Sequence, residues 1–352
     1  MDNRSSFPKH IYLILCSEFF ERFAWFSLNS VLVIYCKYFL NFDSSTSSLV
    51  YHAFMVLAYM FPILGAALAD SYWGKYKTIF WLSWVYVLGF LVESLGSIPF
   101  ENSRIFNSTL CVCGLIIIAC GNGGIKPCII SLGSDQLAVN DEKNRSKFYS
   151  IHYWTVNLAF LVSVFISPIL RGVDCGKLGD EDTNSCYFLV YSMTFVFMIL
   201  ATLIFILGRK YYTKLTPSGK NIFYDCLKII FYGIFYKVSK KSPKKDSWLY
   251  GAYGKSGVDT WLINDTKYLI RIIVLFSPLP IFWGAFYQQN SKWVLQALTL
   301  DGYIGDTVHI LPDQAPLLNA FFIITFIPVV NLRWIFSQFE FFSTCSGKLP
   351  FP

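Results

Sequence analysis

Charged side chains are scarce in this 352-residue chain: Asp, Glu, Lys and Arg together make up 14% of it, against about 25% in ordinary soluble domains. Histidine is scarcer still. The four histidines, at positions 10, 52, 152 and 309, share no short spacing, so a paired-histidine metal site is not expected. No nucleophile stands beside a base in a pattern that would mark an enzyme, and no cofactor is expected. The first apolar stretch is interrupted by Glu18, Glu21 and Arg22, which no cleavable signal peptide would carry. What is abundant instead is apolar surface: 55% of residues are hydrophobic and 19% aromatic, with a mean hydropathy of +0.47. A soluble fold could not bury so much, and the same arithmetic excludes disorder, collagen-like structure and a secreted disulfide scaffold. The net charge of +7 does not point to nucleic acid, because the basic excess sits in one loop beside apolar segments. The expectation is an all-α polytopic membrane protein.

A spanning helix needs about 20 mostly apolar residues. Eight stretches qualify, at 11–40, 50–69, 78–100, 110–132, 148–170, 187–208, 268–298 and 315–334; a seven-helix receptor therefore fits poorly. Alternate loops hold Arg4 and Lys9, then Lys75 and Lys77, then Lys143, Arg145 and Lys147, and the connection 209–267 adds twelve Lys and Arg against four Asp. The opposite loops carry Asp43, Glu101, Asp174, Asp180, Glu181, Asp182, Asp301, Asp306 and Asp313. Basic loops stay in the cytoplasm, so the N-terminus is expected inside, with the plasma membrane as the default location. The long loop divides the chain into a six-helix bundle at 1–208, a basic cytoplasmic linker at 209–267 and the start of a second bundle at 268–352. Six helices and a large cytoplasmic loop are the opening half of a six-plus-six transporter, and the final Pro350-Phe351-Pro352 reads as an interrupted chain. The run from Lys240 to Lys245 is either a solvated linker or a contact for anionic lipid. Cys175 and Cys186 share one outer loop, where a disulfide is plausible chemistry. Asn107-Ser108-Thr109 is a glycosylation sequon on the same side, close to the membrane.

Ionisable groups inside a span are expensive and point to function. Glu18, Glu21 and Arg22 lie at spacings of three and four, on one helical face. Two carboxylates against one guanidinium leave a surplus acid, and since Arg does not deprotonate, a proton entering the cluster goes to a Glu. Spacing alone allows either a static ion network or a pair that couples a proton to a conformational change. His52 and Tyr59 stand two turns apart on the second span, where His52 is either hydrogen-bonded filler or a proton acceptor open to the outside. Asp70 ends that span, facing Lys75 and Lys77 across a short turn rich in small residues. Lys126 follows Gly121-Asn-Gly-Gly124 and precedes Pro127, so a weakened helix lets it enter a cavity. Tyr149, Tyr153 and Asn157 form a polar stripe on the fifth span, and the seventh supplies Arg271, Trp283, Gln288 and Gln289. Such a cavity suits a zwitterion: cations for a carboxylate, acids for an amine, aromatic walls for side chains.

These residues resemble a known family. Glu18-Phe-Phe-Glu21-Arg22-Phe23 looks like the ExxER signature of the proton-coupled oligopeptide transporters, within the major facilitator superfamily. Tyr51-His52 with Tyr59 and Pro62-Ile-Leu-Gly65, Ala69-Asp70 with Gly74-Lys75, and Gly123-Gly124-Ile125-Lys126-Pro127-Cys128 are similar to its later segments. So are Phe148-Tyr149-Ser150-Ile151 with Asn157, and Pro278-Leu-Pro280 with Phe282-Trp283, Gln288-Gln289 and Trp293. The resemblance implies a proton-coupled symporter of di- and tripeptides, with protons as the coupling ion and the lipid bilayer as its surroundings. It implies proton coupling at Glu18, Glu21, Arg22 and His52, and substrate binding at Arg22, Asn29, Tyr59, Lys126, Tyr153, Asn157, Trp283 and Gln289. Lys126 would pair with the helix 1 acids, and Asp70, Lys75 and Arg271 would act in gating.

The chain also departs from the pattern. Trp25, Phe26 and Ser27 stand where the family has Tyr-Tyr-Gly, Asn29 where animal carriers tend to have Arg, and Tyr287 where Asp is common. Phe160 stands in a small-residue position, and Asn331 replaces the Asp expected opposite Arg271. The family has twelve helices against eight here. A diverged relative that no longer transports, or a carrier of another small zwitterion or anion, therefore stays open as an alternative.

Overall fold

The computed structural model describes residues 7–99, 104–138, 140–175, 185–217, 219, 222–238, 248–252, 260–304 and 308–314, and most of 316–326. The long apolar runs fold as helices: α1 (Ile11–Ile34), α2 (Ser44–Leu68), α3 (Lys75–Gly96), α4 (Arg104–Ser134), α5 (Glu142–Arg171) and α6 (Tyr187–Leu207). Wide π-type turns extend α1 over Tyr35–Phe39 and α2 over Ala69–Trp73. Five helical segments are long and apolar enough to cross a membrane: Ser44–Trp73, Lys75–Gly96, Arg104–Ser134, Glu142–Arg171 and Tyr187–Lys210. At about 1.5 Å per residue, the 24 residues of α1 rise about 36 Å, enough for a bilayer core of about 30 Å. Its three central charges face one another rather than lipid.

The starts of α2 to α5 lie further out than hydropathy places them, while those of α1 and α6 coincide with it. Asp43 caps α2, accepting from the backbone N–H of Ser45 (3.0 Å) and Thr46 (3.2 Å), which moves that start from 50 to 44. The Thr46 hydroxyl bond, then the two amides, hold the Asp43 carboxyl below the ordinary carboxylate range. A depressed pKa contributes stability that is present above the unfolded value and lost as pH falls through the folded one. The first turn of α2 is therefore expected to loosen as pH drops below about 3.9, read as falling amide protection at Ser45 and Thr46.

Small residues let the helices close on one another. A Cβ built on Gly65 of α2 would lie 2.3 Å from the Gly123 carbonyl oxygen and 2.6 Å from the Gly124 Cα of α4. Backbone cannot give way there as a side chain can, so glycine is required for the crossing. Gly65→Ala is expected to cost about 1–3 kcal/mol by overpacking, seen as a lower Tm of the detergent-solubilised chain; an unchanged Tm would mean that the contact is looser than this. Gly74, with φ 76°, turns the chain between α2 and α3, a conformation open to glycine without steric cost. The core beneath contains Leu28, Val31 and Tyr35 of α1, Phe90 of α3, Ile118 of α4 and Tyr191 of α6, all fully buried.

The connection 209–267, expected as a basic cytoplasmic linker, also contains α7 (Ile222–Val238), and Ile229 packs with Leu249, Leu262 and Ile263 in a separate apolar cluster. The run 240–245 lies outside the described residues. The stretch 268–298 is not one straight span. It comprises α8 (Thr260–Leu275), α9 (Leu279–Phe286) and α10 (Lys292–Ala297), with a 45° bend before α9, where Pro278 and Pro280 deny the helix two N–H donors. Asn107 is no glycan acceptor here; it is buried in α4, and its amide donates to the Ile98 carbonyl at 2.9 Å. The stretch 315–334 falls mostly outside the described residues. Beyond α10 a short antiparallel pair, β1 (Tyr303–Ile304) with β2 (Val308–His309), leads to a turn at Pro312–Gln314. Cys175 and Cys186 are disulfide-bonded between α5 and α6.

Candidate functional site

The helix 1 charges form one buried cluster. Glu18, Glu21 and Arg22 are 3%, 2% and 6% exposed. Glu21 takes the guanidinium with both oxygens, Oε2 to Nε and Oε1 to Nη2 at 2.6 Å. Such a fork fixes orientation as well as charge. Glu18 Oε1 stands 3.3 Å from Nε. Nη2 also donates to Asn122 Oδ1 at 3.2 Å, and the Asn122 amide donates to the Ala58 carbonyl of α2 at 3.3 Å. One guanidinium thus ties α1 through α4 to α2. Asn122 lay inside the glycine-rich segment unnoticed, since a neutral amide carries no hydropathy signal among glycines.

Lys126 is placed differently from its expected role. Its ammonium sits 3.8 Å from the centre of the Tyr59 ring, a cation–π contact, and forms no ion pair within 4.0 Å of Glu18 or Glu21. It remains close enough for its field to act on both acids. The Tyr59 hydroxyl meets the Tyr287 hydroxyl across from α2 to the turn after α9. Tyr287, standing where an acid was expected, therefore serves as a neutral contact between the two parts of the chain. His52 Nε2 is 3.0 Å from Ser291 Oγ, which also donates to Gln288 Oε1 at 3.3 Å. His52, Tyr59, Trp283 and Tyr287 line a cavity of about 500 Å³ with Phe276 and Pro280.

The remaining candidates scatter around this centre. Tyr149 and Tyr153, 44% and 48% exposed, line an open groove along α5 with Glu142, Arg145 and Trp154. Asn157 donates to the Tyr153 carbonyl at 2.8 Å, within its own helix. Asn29 is buried and donates to the Trp25 carbonyl at 2.7 Å. Gln289 is buried in the turn after α9. Lys75 pairs with Asp135 at 2.6 Å, bridging the start of α3 to the end of α4, while Asp70 lies exposed in the turn before it. Arg271 is exposed on α8 with its guanidinium 5.9 Å from the Tyr268 ring centre; Asn331 lies outside the described residues.

Besides Asn122, two further partners escaped sequence reasoning. His152 of α5 comes within 3.5 Å of Glu18, although 134 positions separate them in the chain. Arg171, at the end of α5, forks onto Asp313 at 2.9 and 3.1 Å and donates to Ser185 at 3.2 Å. Asp313 is fully buried. Both pairs are made by chain topology and carry no local signature. Among the described residues no group of three His, Cys, Asp or Glu is arranged to hold a metal ion.

Helices able to cross a bilayer, packed around a paired buried cluster, define a multi-pass membrane protein. The family model described as POT family matches residues 76–339, and the chain belongs to that family. It is 42% identical over 331 residues to solute carrier family 15 member 2 of Mus musculus, covering 93% of this chain and 44% of the relative. To solute carrier family 15 member 1 of Oryctolagus cuniculus it is 37% identical over 337 residues, covering 92% and 47%. The chain thus spans less than half the length of these relatives. Among solved structures it is similar to the POT family transporter PepTSo, with a TM-score of 0.69 and 24% identity over 92% of this chain and 68% of that one. It is also similar to a proton dependent oligopeptide (POT) family transporter, with a TM-score of 0.63 and 27% identity over 92% and 71%. The fold is the major facilitator type, with the first six-helix bundle followed by the opening helices of the second.

Proposed function

We propose that this chain acts in proton-coupled symport of di- and tripeptides, with protons as the coupling ion and no other cofactor. The observation that carries the reading is the buried cluster in which Glu21 forks onto Arg22 while Glu18 remains as the surplus acid. A proton delivered to Glu21 removes the charge that holds Arg22 and frees the guanidinium for the carboxylate of a peptide. Lys126 adds a second cation, and Tyr153, Trp283 and Tyr59 supply aromatic walls. The two parts of the chain meet through Tyr59 with Tyr287 and His52 with Ser291, contacts that would be remade as one part rocks against the other. Asp70, Lys75 and Arg271 belong to gating in this reading, and Lys75 does so through Asp135.

The basic loops support a cytoplasmic N-terminus, with the plasma membrane as the default location. The Cys175–Cys186 disulfide, on the opposite side from those loops, agrees with an oxidising exterior. The test is uptake of a labelled dipeptide by proteoliposomes holding the full chain, with and without an inward proton gradient. Accumulation that needs the gradient and is competed by unlabelled dipeptides is the expected result. Folded, inserted protein that takes up nothing would overturn the reading. Uptake competed only by other small zwitterions or anions would reassign the substrate.

A further inference from the structure

The helix 1 cluster leaves two buried polar atoms unsatisfied, one on each of two neighbouring side chains. Glu18 Oε2 accepts no hydrogen bond and His152 Nε2 makes none, yet Nε2 stands 3.5 Å from Glu18 Oε1. The two side chains are 4% and 12% exposed, so water does not readily replace the missing partner, and leaving such a group unmatched is costly. Arg22 does not meet the need. Its Nε and Nη2 are engaged by Glu21, and Nη2 is shared with Asn122. Glu18 receives only the longer 3.3 Å approach from Nε.

The charged groups around the imidazole are few. From α1 it faces Glu18, with Glu21 and Arg22 behind. From α4 the nearest cation is Lys126, seated over Tyr59. On α5 itself Phe148 lies 6.1 Å away, centre to centre. The sequence of α6 contains no Asp, Glu, His, Lys or Arg. Asp313, in the turn packed on the far end of α5, is already taken by Arg171. Among the described residues the carboxylate within reach of Nε2 is that of Glu18.

We propose that His152 is the proton-sharing partner of Glu18, giving the coupling cluster a cation that can be discharged beside the fixed charge of Arg22. The inference rests on the transport reading for what the proton is used for, but not for the pairing itself. With the proton on Nε2 the pair is imidazolium and carboxylate. When the proton moves to a carboxylate oxygen the pair becomes neutral imidazole and carboxylic acid, and no other atom or electron is displaced. In both forms a single proton is shared between Nε2 and the Glu18 carboxylate.

The test uses the full chain, labelled with 15N-histidine and held in lipid nanodiscs. Four histidines give few resonances, and His152→Gln assigns the one of interest. Glu18→Gln is expected to shift the His152 Nε2 resonance and change its dependence on pH, whereas Glu142→Gln, at the exposed start of the same helix, leaves it in place. Should Glu18→Gln fail to fold, Glu18→Asp keeps the charge but withdraws it by one methylene, and is expected to shift the same resonance. An Nε2 resonance that follows the same pH curve in wild type and in the folded Glu18 variant overturns the proposal. The measurement needs no substrate. A chain that fails to accumulate dipeptide while showing the shift overturns the transport reading alone, and a transporting chain with an unmoved resonance overturns this one alone.

Discussion

Glu21→Gln is expected to abolish accumulation of dipeptide above the outside concentration, with the gradient-driven initial rate falling on the order of a hundredfold, the lower end of what a lost proton-transfer group costs. The substitution is nearly isosteric. Its amide oxygen can still accept from Arg22 Nη2, which now meets Glu21 Oε1 at 2.6 Å, so the contact survives while its charge and its capacity to take a proton do not. Glu18 does not replace it, because its approach to Arg22 is single and longer, at 3.3 Å. Uptake measured at matched protein amounts, with and without an imposed proton gradient, separates coupling from binding. Glu21→Gln proteoliposomes that still concentrate peptide would show that the buried cluster is a static ion network and that the coupling proton is held elsewhere.

The second large effect concerns attachment between the two parts of the chain. Arg171→Ala is expected to cost about 3–5 kcal/mol, the penalty for leaving one partner of a buried ion pair without its counter-charge. Asp313 is fully buried, and both its oxygens accept from the Arg171 fork. The Ser185 hydroxyl accepts from the same guanidinium, and Asp313 loses both arms of the fork once the arginine is gone. The double change Arg171→Met with Asp313→Leu removes both charges at similar volume and is expected to recover most of the loss. Amide exchange over 308–314 reads the effect locally, and Tm reads it globally. A single variant no worse than the double would mean that Asp313 finds another partner or is hydrated.

Much of this architecture was legible from composition. Spans of about 20 apolar residues must be helices, because no water is present to satisfy their backbone groups in the bilayer. The six runs from 11 to 208 accordingly appear as α1 to α6, with some starts displaced by capping residues such as Asp43. The bend of the seventh stretch could have been read from Pro278 and Pro280, since two prolines remove two donors from one helical turn. The amphipathic α7 was obscured by the lysines around it, which made 209–267 look like a uniform basic loop.

The candidate site divides along the same line. Glu18, Glu21 and Arg22 were readable because spacings of three and four on one helix settle which side chains meet. That Lys126 sits over Tyr59 rather than against the helix 1 acids was not readable, since its distance to Tyr59 on another helix depends on how closely glycine allows α2 and α4 to approach. His152 beside Glu18, Asn122 beside Arg22 and Asp313 beside Arg171 were not readable at all. Local periodicity along this chain determined that it spans a membrane as helices and which charges share the first of them. Only packing between helices decided which residues from α4, α5 and the turn beyond α10 complete the cluster and tie the two parts together, because contacts across large sequence separations are set by how whole helices cross and leave no mark on the spacing of residues along any one of them.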